Sequence, residues 1–263
     1  MTEPMYRQIA DDLRIKIGAG EYTPGDRLPT ENQLMKAYAS SRNTVRDAIK
    51  WLTGRWLVET RAGKGTYVRN KITPFVSTLT GDPDSGLTDV YLAAVIAEGR
   101  VPVNTLPRVE IQHADERVAR ALHIEKGTLV VSRHQQCFID GTPWSLQTSF
   151  YLKSLVDAGA VKLGLPGDIE EGAVKYIAQA CSVKQDGYRD SVAVRPPDEI
   201  EAAFFGFPDD GPIPVFEIFR LAFDEKGKRF RLTITVYPAD RNRFVINVGN
   251  VPITAPTPIS DDR

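Results

Sequence analysis

The eleven residues from Arg42 to Leu52 constrain this chain more than any other stretch. At 100° per residue, Val45, Ala48, Ile49 and Leu52 fall on one face of a helix, and Arg42, Asn43, Arg46 and Lys50 fall on the opposite face. Ser41 precedes the helix as an N-cap. Before it, Thr30 starts a shorter helix, with Gln33 three residues on in capping-box spacing and Leu34, Ala37 and Tyr38 on its apolar side. That helix stops near Ala39-Ser40, so only a tight turn separates the two. Neither can bury an apolar face alone. Upstream, Tyr6, Ile9, Ala10, Leu13 and Ile17 make one apolar stripe after Pro4, and Gly18 and Gly20 end it. Downstream, the strand-like runs Leu57–Arg61 and Thr66–Arg69 flank Ala62-Gly63-Lys64-Gly65, a hairpin whose two tip glycines let Lys64 approach a backbone or narrow groove.

Charge is distributed in keeping with this. The chain carries a net charge of −1, yet Arg42 to Arg69 holds seven Lys/Arg against Asp47 and Glu59, five net positive charges. The rest of the chain therefore carries six net negative charges, a local basic face on an acidic body. A solvated patch would look the same by charge alone. The angular split adds more, because Arg42, Asn43 and Arg46 lie in the first two turns of the second helix of a helix-turn-helix. Those turns reach base edges in the major groove, where Arg can bond guanine and Asn adenine bidentately. Thr44 and the helix N-terminus suit phosphate contacts.

The order YRQIADDL, GDRLPTENQL, SSRNTVRDAIKWL, LVETRAGKGTYV resembles the winged helix-turn-helix of the GntR family of bacterial transcription regulators over residues 4 to 69. The resemblance implies DNA contacts at Arg42, Asn43, Thr44 and Arg46, with Gly63, Lys64 and Gly65 as the wing; Thr30 at the start of the second helix and Lys50 on the polar face of the third are further DNA-binding candidates. The chain departs from the pattern at three positions. The family usually has glycine where Ala39 and Trp56 stand, and some members carry arginine where Asn32 stands. Trp56 is unfavourable in the left-handed cap expected at the end of the third helix.

Residues 71 to 87 read as a linker rich in Thr, Ser, Gly, Pro and Asp. The patterns then change to long strands: a candidate over VPVNTLPRVEIQHA, a hairpin turning at Asp140-Gly141, a strand over VKQDGYRDSVAV, a hairpin turning near Lys226-Gly227, and FVINVGNV closing the sheet. Short helices are expected over DERVARALHI, DIEEGAVKYIAQAC and PDEIEAAFFGF. This pattern gives an α+β domain over 88 to 250 with its helices on one face of an antiparallel sheet, followed by a flexible tail at 251 to 263. From about Thr88 to Val248 it is similar to the effector-binding domain of HutC-type GntR regulators (the UTRA domain), whose fold is shared with chorismate lyase. The resemblance implies a homodimer and a small-molecule effector near Arg133, Gln147, Ser149, Tyr151, Glu217, Arg220 and Tyr237. Residues 147, 149 and 151 alternate in phase, as do 217 and 219. The glutamate near Gln147 and the serine near Gly172 that sugar-phosphate-binding members tend to have are missing.

Catalysis and metal binding find little support. His113, His123 and His134 have no metal-ligand spacing, Cys137 and Cys181 are 44 residues apart, and no nucleophile elbow, phosphate loop or H-E-x-x-H occurs. No catalytic residue, cofactor or metal is expected. The N-terminus lacks a secretory pattern, and no apolar run approaches the ~20 residues that span a bilayer, so a cytoplasmic location without membrane contact is expected. The sequence thus predicts a regulator, expected to be a repressor, that binds a palindromic operator as a homodimer and is released by an effector. One alternative is a regulator without a small ligand, since TVYPADRNRFVINVGNVP is similar to regulators of plasmid transfer genes on mobile elements. The other is an enzyme of the lyase-like fold.

Overall fold

The computed structural model describes residues 3–55, 57–61, 63–69, 75–79, 87–207 and 213–247. These form two compact units: Met1–Thr73 with Pro197–Ile213, and Pro74–Pro196 with Pro214–Arg263. The first unit contains α1 (Met5–Gly18), α2 (Glu31–Ala37), α3 (Arg42–Gly54), β1 (Val58–Arg61) and β2 (Gly65–Val68). Ile9, Ala10 and Leu13 of α1 pack against Leu34, Val45, Ala48, Trp51 and Leu52, and Val58, Val68 and Leu28 close the core. The ring of Trp51, buried on α3, is contacted by the guanidinium groups of Arg7 and Arg55, at 4.8 and 3.6 Å from its centroid.

The turn between α2 and α3 has a specific cause. Ala39 takes φ 46°, the left-handed region, and the Ser40 N–H donates to the Met35 carbonyl at 3.1 Å. This is the Schellman closure of α2, with alanine in the place where glycine carries no Cβ penalty. At its start α2 has the full capping box: the Thr30 side chain accepts from the Gln33 N–H, and the Gln33 side chain accepts from the Thr30 N–H at 2.8 Å. Ser41 caps α3 by accepting from the Thr44 N–H at 3.2 Å. The third helix closes at Gly54, and its C-cap Arg55 has φ −96°, so Arg55 makes no left-handed cap. Trp56 lies outside the described residues.

The second unit is built on an antiparallel sheet. It runs from β3 (Phe75–Thr78) through α4 (Leu87–Ala97), β4 (Pro102–Asn104), β5 (Arg108–His113), α5 (Glu116–Leu122), β6 (Leu129–Ile139) and β7 (Thr142–Leu152). It continues with α6 (Lys153–Asp157), a 3-10 turn (Val161–Gly164), α7 (Ala173–Cys181) and β8 (Gln185–Arg195). After α8 (Glu199–Phe205), which clusters with the first unit, come β9 (Val215–Asp224), β10 (Arg229–Pro238) and β11 (Asn242–Val245). The strand order is β4-β6-β7-β10-β9-β8, with β5 also paired to β6. At the β6–β7 turn Asp140 and Gly141 both have positive φ, 51° and 73°, the geometry that the Asp-Gly pair predicts for a two-residue hairpin.

Four expectations are corrected. The candidate linker contains β3, because Phe75 and Ser77 are buried and pair in parallel with β11. Consequently FVINVGNV does not close the main sheet but begins with β11 of that separate ribbon. VPVNTLPRVEIQHA is two strands, interrupted at Thr105–Pro107. Helices also meet both faces of the sheet: Arg117 on α5 reaches Glu217 and Phe219, while the 3-10 turn meets Arg133, which the strand register places on the opposite face. The tail 251–263 lies outside the described residues.

Candidate functional site

The exposed face of α3 carries Arg42, Asn43, Arg46 and Lys50, while Val45, Ala48 and Leu52 are buried. The arginines are not loose. Arg46 Nε donates to both Glu31 carboxylate oxygens at 3.0 and 3.2 Å, and Arg42 donates to Asn32 Oδ1 at 3.1 Å with Glu31 3.9 Å away. Glu31 and Asn32 begin α2, and the tight turn brings that helix start alongside the first turns of α3. Sequence reading missed Glu31 and marked Asn32 only as a departure from the family pattern. The LPTEN run was the available signal, since it puts a carboxylate and an amide at the first two positions of the helix that crosses α3. Thr30 is exposed, but its hydroxyl donates to Gln33 Oε1 at 2.8 Å, and Thr44 Oγ1 lies 2.8 Å from Ser41 Oγ. Both hydroxyls serve the helix caps.

At the wing, β1 and β2 pair from Val58–Val68 to Arg61–Gly65, and Arg27 adds a bridge to Tyr67. Gly65 has φ 114°, a conformation that favours glycine, and a Cβ there would stand 2.5 Å from Arg27 Nε and displace that guanidinium. Gly63, with φ 70°, and Lys64 are exposed at the tip, and the Lys64 N–H is tied to the Arg61 carbonyl at 2.9 Å. Arg61 lies over the Tyr67 ring at 4.5 Å and pairs with Glu59, as does Arg69. The basic face therefore consists of guanidiniums oriented by Glu31 and Glu59.

In the second unit, register explains which effector candidates converge. Arg133, Ser149, Thr233, Arg220 and Asp190 are directly opposite one another across β6, β7, β10, β9 and β8, so all face the same side. Arg133, Gln147, Ser149 and Tyr151 line a cavity of about 270 Å³ on that side. Its walls come from the 168–170 loop, the first turn of α7, Leu92 and Asn104. The other three candidates are not among its lining residues. Glu217 is one residue out of phase with Arg220 on β9, so it points to the opposite face, where Arg117 and Arg195 each pair with it at 2.9 Å. Those ion pairs hold its carboxyl below the usual range although burial raises it. Arg220 lies on the cavity side but on the far side of β10, buried, paired with Asp190 at 2.6 Å and stacked over Tyr188 at 3.7 Å. Tyr237 is buried near the end of β10 in an aromatic cluster, 5.9 Å from the Tyr91 ring and 5.1 Å from that of Phe244. The cavity also uses Gln135, Asp168, Glu170, Arg231 and Thr233, which sequence reading did not select; Gln135 and Thr233 could have been found from the pairing with Gln147 and Ser149.

Among the described residues no cluster of three His, Cys, Asp or Glu could hold a metal ion, and no helix is long and apolar enough to cross a membrane.

Comparison with known proteins identifies both domains. Residues 5–68 match the profile of bacterial regulatory proteins of the gntR family, and residues 97–243 match the UTRA domain. The chain is 46% identical over 69 residues to the mannosyl-D-glycerate transport/metabolism system repressor MngR of Escherichia coli, a match that spans 26% of this chain and 29% of that one. It is 28% identical over 209 residues to the HTH-type transcriptional regulator SCO4628 of Streptomyces coelicolor, covering 76% of each chain. A crystal structure described as a GntR-family transcriptional regulator aligns at TM-score 0.58 and 27% identity, covering 94% of this chain and 98% of that one. PhnF from Mycobacterium smegmatis, at TM-score 0.55 and 21% identity over 92% of this chain and all of the other, shares the fold. With a DNA-binding head and an effector domain, and homologues that are regulators rather than enzymes, the chain belongs to the GntR family as a UTRA-containing transcriptional regulator.

Proposed function

We propose that this regulator is a cytoplasmic repressor that binds a pseudo-palindromic operator as a homodimer and leaves it when a small molecule fills the cavity over β6, β7 and β10. The observation that carries the reading is the exposed Arg42–Asn43–Arg46 row, oriented from α2 and opposite a buried apolar face. In this reading the three side chains take base edges in the major groove. Lys50 and the α3 N-terminus take phosphates, and Lys64 at the Gly63–Gly65 tip takes the backbone or minor groove. Thr30 and Thr44 act through the caps that fix α2 and α3. A two-fold axis presents two such heads to half-sites about one helical turn apart. The effector shifts operator affinity only by its differential affinity for the two arrangements of the heads.

Sedimentation of the chain with a duplex selected from a random library tests the assembly. Two chains should bind per inverted repeat, and binding should weaken when one half-site is scrambled. One chain per duplex, indifferent to the second half-site, would refute the homodimer.

A further inference from the structure

On the recognition face, Glu31 at the start of α2 reaches both arginines of α3. Its two carboxylate oxygens share the Arg46 Nε–H, at 3.0 and 3.2 Å, and its Oε2 lies 3.9 Å from Arg42 Nε. Arg42 Nη2 donates instead to Asn32 Oδ1 at 3.1 Å. The Arg46 side chain is 59% exposed and that of Glu31 37%, and ion pairs so exposed add little to stability. What such a contact does fix is direction.

Direction matters because a guanidinium can meet the O6 and N7 of guanine in two ways. Its N–H groups lie in one plane, and the two donors are either Nε with one Nη, or Nη1 with Nη2. Glu31 occupies the Nε–H and so closes the first mode. Among the described residues Arg46 makes no other hydrogen bond, so its terminal Nη1–Nη2 fork stays open. A phosphate approaching the Nε edge would have to displace Glu31 and face its charge. Without Glu31, Arg46 is a flexible cation that can follow the phosphate backbone as readily as it reads a base.

We propose that Glu31 is a positioning residue for sequence discrimination: by holding Arg46 Nε it presents the Nη1–Nη2 fork end-on to a guanine and keeps Arg46 off the phosphates. The proposal rests on the reading of Arg46 as a base-edge contact. Glu31 is also an acid in the first turn of α2 and answers that helix's dipole. That second role does not involve Arg46, so a double-mutant cycle separates the two.

The test titrates the full chain with a selected operator and with a scrambled duplex over a range of salt, and thermal unfolding checks the fold of each variant. Glu31→Ala should lower the ratio of operator to scrambled affinity by about tenfold. Because Arg46 is then free to take a phosphate, the slope of log affinity against log salt on the scrambled duplex should steepen by up to about 0.9. Glu31→Gln keeps an oxygen for the Nε–H and should hold the ratio within about threefold of wild type. In an Arg46→Ala background, Glu31→Ala should change the ratio by no more than about twofold. An undiminished effect of Glu31→Ala in that background, an equal loss on both duplexes, or equal damage from Glu31→Gln and Glu31→Ala would overturn the positioning role and leave the base contact standing. An Arg46→Ala chain as selective as wild type would overturn the base contact, and the positioning role with it.

Discussion

Replacing Ala39 by glycine should make this regulator more stable, although glycine usually weakens a helical protein. Ala39 sits at φ 46° in the turn that joins α2 to α3. A left-handed conformation costs an L-residue roughly 1 to 2 kcal/mol. Its methyl group is exposed, so removing it gives up no core packing. Glycine returns part of the gain by loosening the unfolded chain, about 0.4 to 1 kcal/mol. The net stabilisation is about 0.5 to 1 kcal/mol, a factor of roughly 2 to 5 in the opening equilibrium. Native-state hydrogen exchange of the α2 and α3 amides reads this directly in the full chain, as 2- to 5-fold slower exchange at the roughly estimated gain. Ala37→Gly, two residues earlier at the last position of α2, is the control: its backbone is helical, so glycine relieves nothing there and exchange should be no slower than in wild type. If Ala39→Gly exchanged as fast as wild type or faster, the left-handed turn would not be strained and the assignment would fail.

Three further outcomes follow from the same geometry. Lys64→Ala should weaken binding to all duplexes alike and reduce the slope of log affinity against log salt by about 1; an unchanged slope removes Lys64 from the backbone contacts. Burial pushes the Cys137 thiol up to about 11, so alkylation near pH 8 should label half-buried Cys181 well before Cys137; equal rates would contradict the buried placement. The Tyr38 hydroxyl and then Lys16 hold the Asp12 carboxyl below its ordinary 3.8, while burial and Asp12 push Tyr38 up to about 12. A depressed folded-state value means stability that is full above the ordinary value and lost as pH falls through the lower one. Urea unfolding should therefore show Asp12→Asn weaker than wild type at neutral pH and level with it in strong acid; a gap that persists in acid would refute the pairing.

The DNA-binding head was largely legible because its signals are local. Capping pairs, the angular split of α3 and the glycine-flanked tip are all fixed within a few residues, and each appears in the structure. Ala39 was legible as a departure from the family pattern, and the structure shows that the backbone keeps the left-handed shape regardless. Glu31 was less visible because its partner Arg46 is fifteen residues away, across the turn. In the effector domain, period two grouped Gln147, Ser149 and Tyr151 correctly on one face. It could not say which strand would lie next to β7, so Arg220 was grouped across a strand order that only the register fixes, whereas Glu217, three residues from Arg220 on one strand, was already out of phase with it by period two. The α4 helix escaped because its apolar residues form no one-sided stripe, and β3 because a four-residue strand is too short for periodicity to show.

One titration tests whether α3 reads sequence through its oriented arginines. Wild type, Arg42→Ala and Arg46→Ala are titrated against a selected operator and against a scrambled duplex at fixed salt. Each substitution should cost about 1 to 3 kcal/mol at the operator and much less at the scrambled duplex, so that the ratio of the two affinities falls. Operator binding by both variants equal to wild type, or an equal loss on both duplexes, would contradict it.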